Sequence, residues 1–548
     1  MESAIKVFED ESNGISVLKP GDPKYDRAIA TSNLLHRFSR PDCVVQPKTP
    51  DDVRIIVNEV RSKELDITIK CSGHSYAGHS TAFKGISLDL RKMNAVRLDA
   101  KAMTVDVDAG CQWGHVYGTL INGRHNGLII NGGRCPTVGV SGFMLGGGLG
   151  PFTRSFGMGC DTMMEATVVT ADGQLVTVGE KNDPKSKEGR LFWALRGAGS
   201  GNFGVLVKMK LKVQKLKDLK GTVVAGRYNW FPKNGFTDDV ADTMNKFYTT
   251  SWPKKITIDS TWICDLRERT SLGGVRFTVA FDGSKPEYDQ LIDKHITDKE
   301  LNKQLKRRVL DEPSTRFLYE TLVTQWMEET ERAYPKNKTY ELYSSFVFKN
   351  DDKVAIREIT DAIRRLMQDF RDNKDFKGER VNFLVTWIHT GGKAKEKPPG
   401  DTAYFWRDAV FHTYVTVEWE DEWMERDMRE FLGKVKTELR PFSLNGEAAF
   451  LNFPDRDFPT KSYERAYFGD NREELRRVKE MWDKNKVFNW SQGVRLPWEP
   501  DEDPEGTGEE EDKTDQLATE QWENFNTGEP YQPEDMDEEL SFLASEFY

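Results

Sequence analysis

Short apolar runs alternate with amphipathic segments along the first part of the chain. Residues 43–73 read as an apolar strand, then Thr49 and Pro50 as helix-start signals, then apolar residues at helical spacing and a second strand ending before Gly73. Three short period-two runs follow within residues 86–108, and CQWGHVYGTLINGRHN has the pattern of a helix. This order predicts a βαβ-like unit followed by further strands.

Residues 131–150, NGGRCPTVGVSGFMLGGGLG, interrupt this pattern because glycine dominates them. We expect no ordinary helix or strand there, but a backbone that closely approaches a flat ligand. Strands resume with EATVVTADGQLVTV, in which Asp172-Gly173 is a hairpin signal.

One glycine motif is misleading. GSGNFG at 199–204 matches G-x-G-x-x-G, but the VLVKMKLKV after it alternates like a strand, whereas a dinucleotide-binding motif would open a helix there. A Rossmann nucleotide-binding fold is therefore unsupported, and the sequence contains no P-loop.

The second half has longer segments rich in Trp, Phe and charge. ITIDSTWICDL, GGVRFTVAFDG, YELYSSFVF, VNFLVTWIH and FHTYVTVEW read as strands, whereas AIREITDAIRRLMQDFRD and EWMERDMREFLGKVKTEL read as helices. We predict an α+β protein whose second domain is an antiparallel sheet backed by helices. The helical segment YERAYFGDNREELRRVKEMWDKNKVF is expected to return to the first domain. The predicted parts are 1–215, 216–448, 449–498 and a tail, 499–548.

Charge separates the tail from the rest of the chain. The net charge is −11, yet residues 499–548 hold 19 acidic residues against Lys513 alone, which leaves the preceding residues at +7. The composition WEPDEDPEGTGEEED is typical of a solvated low-complexity tail, and binding to a basic face or a basic partner is the alternative. We expect no nucleic-acid partner, because no Lys/Arg cluster is interleaved with aromatic residues.

Hydropathy and residue type indicate whether the chain is a membrane protein, a secreted protein or a metal-binding protein. No stretch approaches the ~18 apolar residues that a bilayer span requires, and the acidic start MESAIKVFEDESNG is unlike a signal peptide. We therefore expect no membrane partner and an intracellular protein, with secretion by another route left open. The six cysteines form no C-x-x-C pair, and His74 and His79 have no nearby acidic or Cys ligands, so we expect no metal site.

Two glycine-bounded loops carry the candidate chemistry, CSGHSYAGHS with His74 and GGRCPTVGVSGFMLGGGLG with Cys135. Their G-H-S-Y-x-G and C-P-T-V-G patterns, together with LFWALRGAGSGNFGV and AAFLNFPDRD, resemble the berberine-bridge-type oxidases of the vanillyl-alcohol-oxidase superfamily. The resemblance covers most of residues 40–495. It implies a two-domain PCMH-type FAD-binding fold, with FAD bonded through His74 and Cys135.

The resemblance also implies further contacts to the cofactor and a reaction. The residues expected around FAD are Ser72, Gly73, Ser75, Gly132, Gly133, Val138, Gly139, Ser141, Gly142, Gly146, Gly147, Gly148, Asn202, Gly204 and Val205. The reaction it implies is hydride transfer from a small organic substrate to the flavin while a base removes a hydroxyl proton. Val138 matches a position where the family's oxidases tend to carry valine, which favours O2 as the acceptor and hydrogen peroxide as the by-product.

The catalytic base is where the chain departs from the family. Many members carry a tyrosine in an N-Y-x-D stretch, whereas here Phe453 follows Asn452, and phenylalanine cannot take a proton. The candidates that remain are His412, whose unperturbed pKa suits a base near neutrality, and Tyr76, which is expected to face the substrate. By period-two geometry Tyr414 shares a strand face with His412 and is expected to relay or orient it. His389 is a weaker third candidate for the base.

The predicted function is oxidation of an aromatic, phenolic or secondary-metabolite-like alcohol in a cleft between the domains. The sequence leaves open a flavin dehydrogenase or oxidative cyclase that does not react with O2, and an oligosaccharide oxidase. It also leaves open a catalytically retired ligand-binding protein, and it does not indicate the oligomeric state.

Overall fold

The computed structural model of the protein describes residues 1–10, 12–31, 33–267, 273–325, 339–459 and 461–500. The acidic tail, and with it the prediction about its partner, lies outside the described residues apart from its first two. Residues 1–499 form one compact unit, so the predicted domain limits at 215 and 448 remain a prediction.

The described residues form helices and strands in alternation along the chain. The helices span Glu2–Glu9, Tyr25–Ile29, Pro50–Ser62, Trp113–Asn122, Val140–Leu145, Thr153–Phe156, Lys187–Ala198, Asp238–Tyr248, Lys285–His295, Lys299–Arg308, Ser314–Arg316, Lys353–Asp372, Glu425–Leu439, Tyr463–Phe468 and Arg472–Asp483. The strands are β1 Ser16–Leu18, β2 Cys43–Gln46, β3 Ile67–Lys70, β4 Ile86–Asp89, β5 Val96–Asp99, β6 Thr104–Asp108, β7 Leu128–Ile129, β8 Met163–Val169, β9 Leu175–Gly179, β10 Val205–Lys212, β11 Gln214–Lys215, β12 Thr222–Trp230, β13 Ile256–Asp265, β14 Gly274–Phe281, β15 Val309–Pro313, β16 Tyr340–Phe348, β17 Val381–His389 and β18 Phe411–Trp419.

The first lobe is built around two sheets. One has the order β1-β2-β4-β3, in which β2 and β3 both pair in parallel with β4. The helix Pro50–Ser62 connects β2 to β3, as predicted. Its capping box is formed by Thr49 and Asp52, each bonding the other's backbone amide. The second sheet, β5-β6-β10-β8-β9, is antiparallel throughout.

Three expectations about glycine-containing segments can be compared with the backbone. Val205–Lys212 is a strand, as its alternation predicts, and Gly173 turns the β8–β9 hairpin with φ +77°. The expectation of no helix within residues 131–150 is wrong, because Val140–Leu145 forms a short helix between Gly139 and Gly146. Burial of Val140, Met144 and Leu145 in the core stabilises this turn despite the glycines beside it.

A seven-stranded antiparallel sheet, β15-β12-β14-β13-β17-β18-β16, forms the second lobe. Alternate residues of its strands, such as Trp262, Trp387 and Val417, pack against the helices Asp238–Tyr248, Lys353–Asp372 and Glu425–Leu439. The opposite face carries polar residues. Strand alternation therefore divides the sheet into an apolar face covered by helices and a polar face available for a site.

The C-terminal helices Tyr463–Phe468 and Arg472–Asp483 return to the first lobe, as predicted. Phe468, Leu475 and Val478 join its hydrophobic core, and Lys479 Nζ donates to the carbonyl of Asn202 at 2.7 Å. The fold is α+β, with mixed helices and antiparallel sheets. No helix among the described residues is long and apolar enough to cross a bilayer.

Candidate active site

The two glycine-bounded loops enclose a cavity of about 390 Å³ in the first lobe. The loop with His74 follows β3, and the loop with Cys135 follows β7, so the ends of two strands position them. The hydroxyl of Ser72 accepts from the backbone amide of Gly139 at 2.7 Å and ties the loops together.

His74 and Cys135 converge at this cavity. His74 Nε2 lies 2.9 Å from the Thr137 hydroxyl oxygen, and Cys135 Sγ lies 3.2 Å from the same oxygen. The two nucleophilic atoms are therefore no further apart than the sum of these distances. Burial lowers the pKa of His74 to about 4, so its imidazole is neutral near pH 7 and retains a lone pair.

The predicted cofactor residues divide into those that line the cavity and those that support it. Cavity-lining residues among them are Ser72, Gly73, Ser75, Gly133, Val138, Gly139, Ser141, Gly142 and Gly204. A Cβ on Gly142 would meet no protein atom within 4 Å, because its Cα faces the cavity. A Cβ on Gly139 would lie 2.4 Å from Cys71 Sγ, so only glycine allows the two loops to approach so closely.

The remaining predicted cofactor residues do not line the cavity but pack against or hydrogen-bond to the segments around it. The backbone of Gly132 packs on the Trp113 ring, Gly146 packs on Asn452, and Gly147 and Gly148 adopt positive φ. Asn202 holds the C-terminal segment, because its Oδ1 accepts from Trp490 Nε1 and the backbone amide of Val494, each at 3.0 Å. Val205 begins β10 in the hydrophobic core.

The C-terminal segment supplies wall residues that the sequence analysis did not single out. Asn489 and Trp490 line the cavity, and the Trp490 ring centroid lies 4.4 Å from that of His79. Both residues follow the helical segment that ends at Phe488, and the signal available for them was the resemblance, which extends to residue 495.

A second cavity of about 240 Å³ lies over the polar face of the seven-stranded sheet. Seven residues line both cavities and so connect them: Gly73, His74, Ser75, Tyr76, Arg134, Ile388 and Tyr414. The Tyr76 ring stacks on Tyr343 with centroids 4.0 Å apart and lies 5.8 Å from the Phe453 ring. Tyr414 packs on Phe453 at 4.5 Å, so aromatic rings form the junction between the cavities.

The two candidate histidines lie elsewhere. The His412 ring nitrogens are hydrogen-bonded to Thr390 and Tyr404, the side chain is 1% exposed, and His412 lines neither cavity. Burial lowers its pKa to about 3. His389 lies on the face of β17 that points away from the second cavity, where its ring stacks on Phe411 in the core. Neither ring is therefore placed to take a proton from a substrate in these cavities.

Charged residues of the second cavity were missed by the sequence analysis. They are Arg134, Asp259, Asp265, Arg267, Arg276, Glu341 and Glu418. Arg134 pairs with Asp259 at 2.5 Å, and Arg267 Nε and Nη2 bond the two oxygens of Asp265 at 2.8 and 2.9 Å. The signal for several of them was the strand alternation itself, since Asp259, Asp265 and Glu418 occupy the face opposite the Trp and Val residues.

Comparisons with known proteins match the same segments. The model of the FAD binding domain matches residues 41–179, and the model described as "Berberine and berberine like" matches residues 449–495. The chain is similar to YgaK of Bacillus subtilis, described as an uncharacterized FAD-linked oxidoreductase, with 26% identity over 86% of this chain and 95% of that protein.

Two solved structures are similar in fold. Berberine bridge enzyme from Eschscholzia californica gives a TM-score of 0.75 at 20% identity, covering 90% of this chain and 99% of that one. Chitooligosaccharide oxidase gives a TM-score of 0.70 at 19% identity, with the same coverage. The FAD binding domain at residues 41–179 and the berberine-like segment at residues 449–495, on a fold shared with berberine bridge enzyme, identify the chain as an FAD-linked oxidoreductase similar to the berberine-bridge-type enzymes.

Proposed function

We propose that the chain holds FAD covalently through both His74 and Cys135 and oxidises a small organic alcohol or phenol with O2 as the electron acceptor. The observation that carries the proposal is the convergence of His74 Nε2 and Cys135 Sγ on the Thr137 hydroxyl at the cavity wall. Imidazole and thiolate are the nucleophiles that can add to an electron-poor ring.

The residues around this cavity suit FAD. Apolar side chains of Ile67, Ile69, Leu90 and Leu206 line part of it, which suits a planar aromatic ring. The exposed backbone of Gly142 and its neighbours allows amides to approach anionic groups closely. FAD, when bound, supplies hydride acceptance from a substrate carbon.

The side chains that would contact the substrate during this reaction lie at the junction between the two cavities. We place the substrate in the second cavity, with its reacting end against the aromatic junction. Tyr76 and Tyr414 line both cavities, so they can orient a substrate hydroxyl that reaches the junction. Since His412 lines neither cavity, the role of proton acceptor passes in this proposal from His412 to Tyr414, and Tyr76 is proposed to orient the substrate.

Acid precipitation tests the covalent linkage. We expect flavin to remain in the washed pellet of the parent protein and of the His74→Ala and Cys135→Ala variants, because one covalent bond suffices to retain it. The double variant is expected to give a colourless pellet. Flavin absorbance of the redissolved pellet is the measurement, and His79→Ala serves as a control from the same loop. A colourless pellet from the parent protein would overturn the covalent linkage.

Oxygen reactivity is tested at Val138, which lines the proposed flavin cavity and packs against the hydrophobic core of the first lobe. Val138→Leu is expected to slow reoxidation of the reduced flavin by about tenfold, as an added methylene that raises the barrier by ~1.4 kcal/mol would do. Stopped-flow mixing of reduced protein with air-saturated buffer measures the rate. A parent flavin that does not reoxidise in air would instead support the dehydrogenase or oxidative cyclase.

A substrate panel separates an enzyme from a retired binding protein. Anaerobic bleaching of the parent flavin by any member of a panel of alcohols, phenols, aldehydes and oligosaccharides would show turnover and indicate the substrate class. A flavin that stays oxidised against the whole panel would contradict the proposed oxidation.

A further inference from the structure

Four strands of the seven-stranded sheet place one polar residue each in a continuous row. Asp265 pairs with Asn382, Asn382 with Glu418, and Glu418 with Glu341, directly across β13, β17, β18 and β16. We call these four residues the distal row. All four line the second cavity, so the row forms one end of its floor.

The distal row lies away from the junction where the two cavities meet. Tyr414 lies four residues before Glu418 on β18, a separation of roughly 13 Å at ~3.3 Å per residue. Between them lies another row, in which Ile263, Leu384 and Thr416 pair across β13, β17 and β18. Tyr343, stacked on Tyr76, completes it. The floor therefore changes from aromatic to mostly apolar to acidic along one direction.

The distal row contains three carboxyl groups, and the cations of the cavity that face them are Arg267 and Arg276. Of its three carboxyl groups, Asp265 is bonded through both oxygens to Arg267, whose remaining nitrogen lies 3.9 Å from Glu418. Glu341 and Glu418 face each other directly, an arrangement that is unfavourable when both are ionised. Burial and the neighbouring Glu418 raise the pKa of Glu341 to about 8, and burial also raises the pKa of Glu418.

A buried acceptor in the same row is left without a donor. Asn382 is 4% exposed and donates through Nδ2 to Glu418 at 2.9 Å, yet its Oδ1 has no hydrogen-bond partner among the described residues. A buried acceptor without a donor costs free energy, so this atom indicates a missing donor. The row thus contains three acceptor groups, Asn382 Oδ1 and the carboxyls of Glu341 and Glu418, and the oxygens of Glu341 also accept from the hydroxyls of Tyr343 and Thr339.

We propose that the distal row recognises a protonated amine at the far end of an elongated substrate, roughly 13 Å from the end that reacts beside Tyr414. This rests on the proposed function for the location of the reacting end. An ammonium group has three donors and one positive charge, which match the three acceptors and the negative charge that Glu341 gains when it ionises. The middle of the substrate lies over Ile263, Leu384 and Tyr343 and is apolar or aromatic.

The proposal has a defined pH dependence. Near pH 7 Glu341 is largely protonated, and an ammonium ion favours its ionised form, so binding releases a proton. Affinity for the amine therefore rises as the pH increases toward about 8 and falls below it. The other charged or titratable groups facing the pair are Asp265, Arg267, Arg276 and Tyr343.

Isothermal titration calorimetry of the full-length protein with ω-aminooctanol and octanediol tests the proposal, because the two probes differ only in ammonium against hydroxyl. At about pH 8 the amine is expected to bind tenfold or more tightly than the diol, as a charge-assisted contact in a partly buried site would give. Glu341→Gln and Glu418→Gln are each expected to reduce this preference, and the double variant to abolish it.

Glu312→Gln is the matched control. Glu312 also has its pKa raised by burial and accepts from a hydroxyl, that of Thr321 at 2.6 Å, but it lines neither cavity. The control is expected to keep the full preference for the amine. Equal affinity for the two probes in the parent protein, or a preference that persists in the double variant, would overturn the proposal. Flavin in the acid-precipitated pellet is measured on the same samples, so loss of the covalent linkage is recognised separately.

Discussion

Tyr414→Phe is expected to retain the bound flavin and to slow its anaerobic reduction by roughly 10²- to 10⁴-fold, the range typical of a positioned general base. The reason is positional. Tyr414 lines both cavities, whereas His412 on the same strand is enclosed by Thr390 and Tyr404. The measurement is stopped-flow bleaching of the flavin by the first panel compound that reduces the parent protein.

Two further variants make the Tyr414 result interpretable. Thr416→Val changes the same strand face without removing an aromatic hydroxyl and is expected to alter reduction only slightly. His412→Asn is expected to lower stability, because both ring nitrogens are bonded, while reduction of the folded fraction stays close to the parent rate. An unchanged rate in Tyr414→Phe with a slow His412→Asn would return the role of proton acceptor to His412.

Arg154→Met is expected to destabilise the protein by about 3–5 kcal/mol, because a buried guanidinium that satisfies several carbonyls is removed. Arg154 is 4% exposed in the first lobe and donates to the backbone carbonyls of Ile256, Thr390, Trp252 and Pro253 in the second. Burial lowers its pKa to about 10, which still leaves it charged at neutral pH. The loss leaves these carbonyls without this donor at the contact between the lobes.

The measurement is the urea midpoint followed by tryptophan fluorescence. Arg97→Met is the control, since Arg97 is 61% exposed and pairs with Asp108 at 3.3 Å. Exposed pairs contribute at most about 1 kcal/mol, so the control is expected to unfold near the parent midpoint. Equal midpoints for both variants would contradict the structural role assigned to Arg154.

Much of the fold could be predicted because local signals agreed with the final structure. Thr49 and Pro50 marked the start of the helix Pro50–Ser62, and the alternation after residue 204 identified β10. The short helix Val140–Leu145 could not be predicted, because burial of its apolar residues outweighs the helix-breaking tendency of the glycines beside it. β12 was also missed, although it pairs with both β14 and β15.

The candidate site was predictable only in part. The two glycine-bounded loops could be found because the residues of each are contiguous, and the resemblance named His74 and Cys135. The distal row could not be found from the sequence, because Asp265 and Asn382 become neighbours only after strands more than 100 residues apart have paired. The enclosure of His412 could not be predicted for a related reason. Alternation places His412 on the cavity side of β18, but the enclosing Tyr404 comes from a loop whose path the pattern does not indicate.

The pairing of β18 with both neighbours also limits how the chain length can vary here. β18 lies between β16 and β17, and its even-numbered residues Tyr414, Thr416 and Glu418 face the cavity while Val415 and Val417 face the helices. Inserting one residue early in this strand would turn the side chain of Glu418 toward the helices and that of Val417 toward the cavity. Insertions and deletions in relatives that keep this cavity are therefore expected in the connecting loops, whereas the lining of the cavity can change by single substitutions at even-numbered positions.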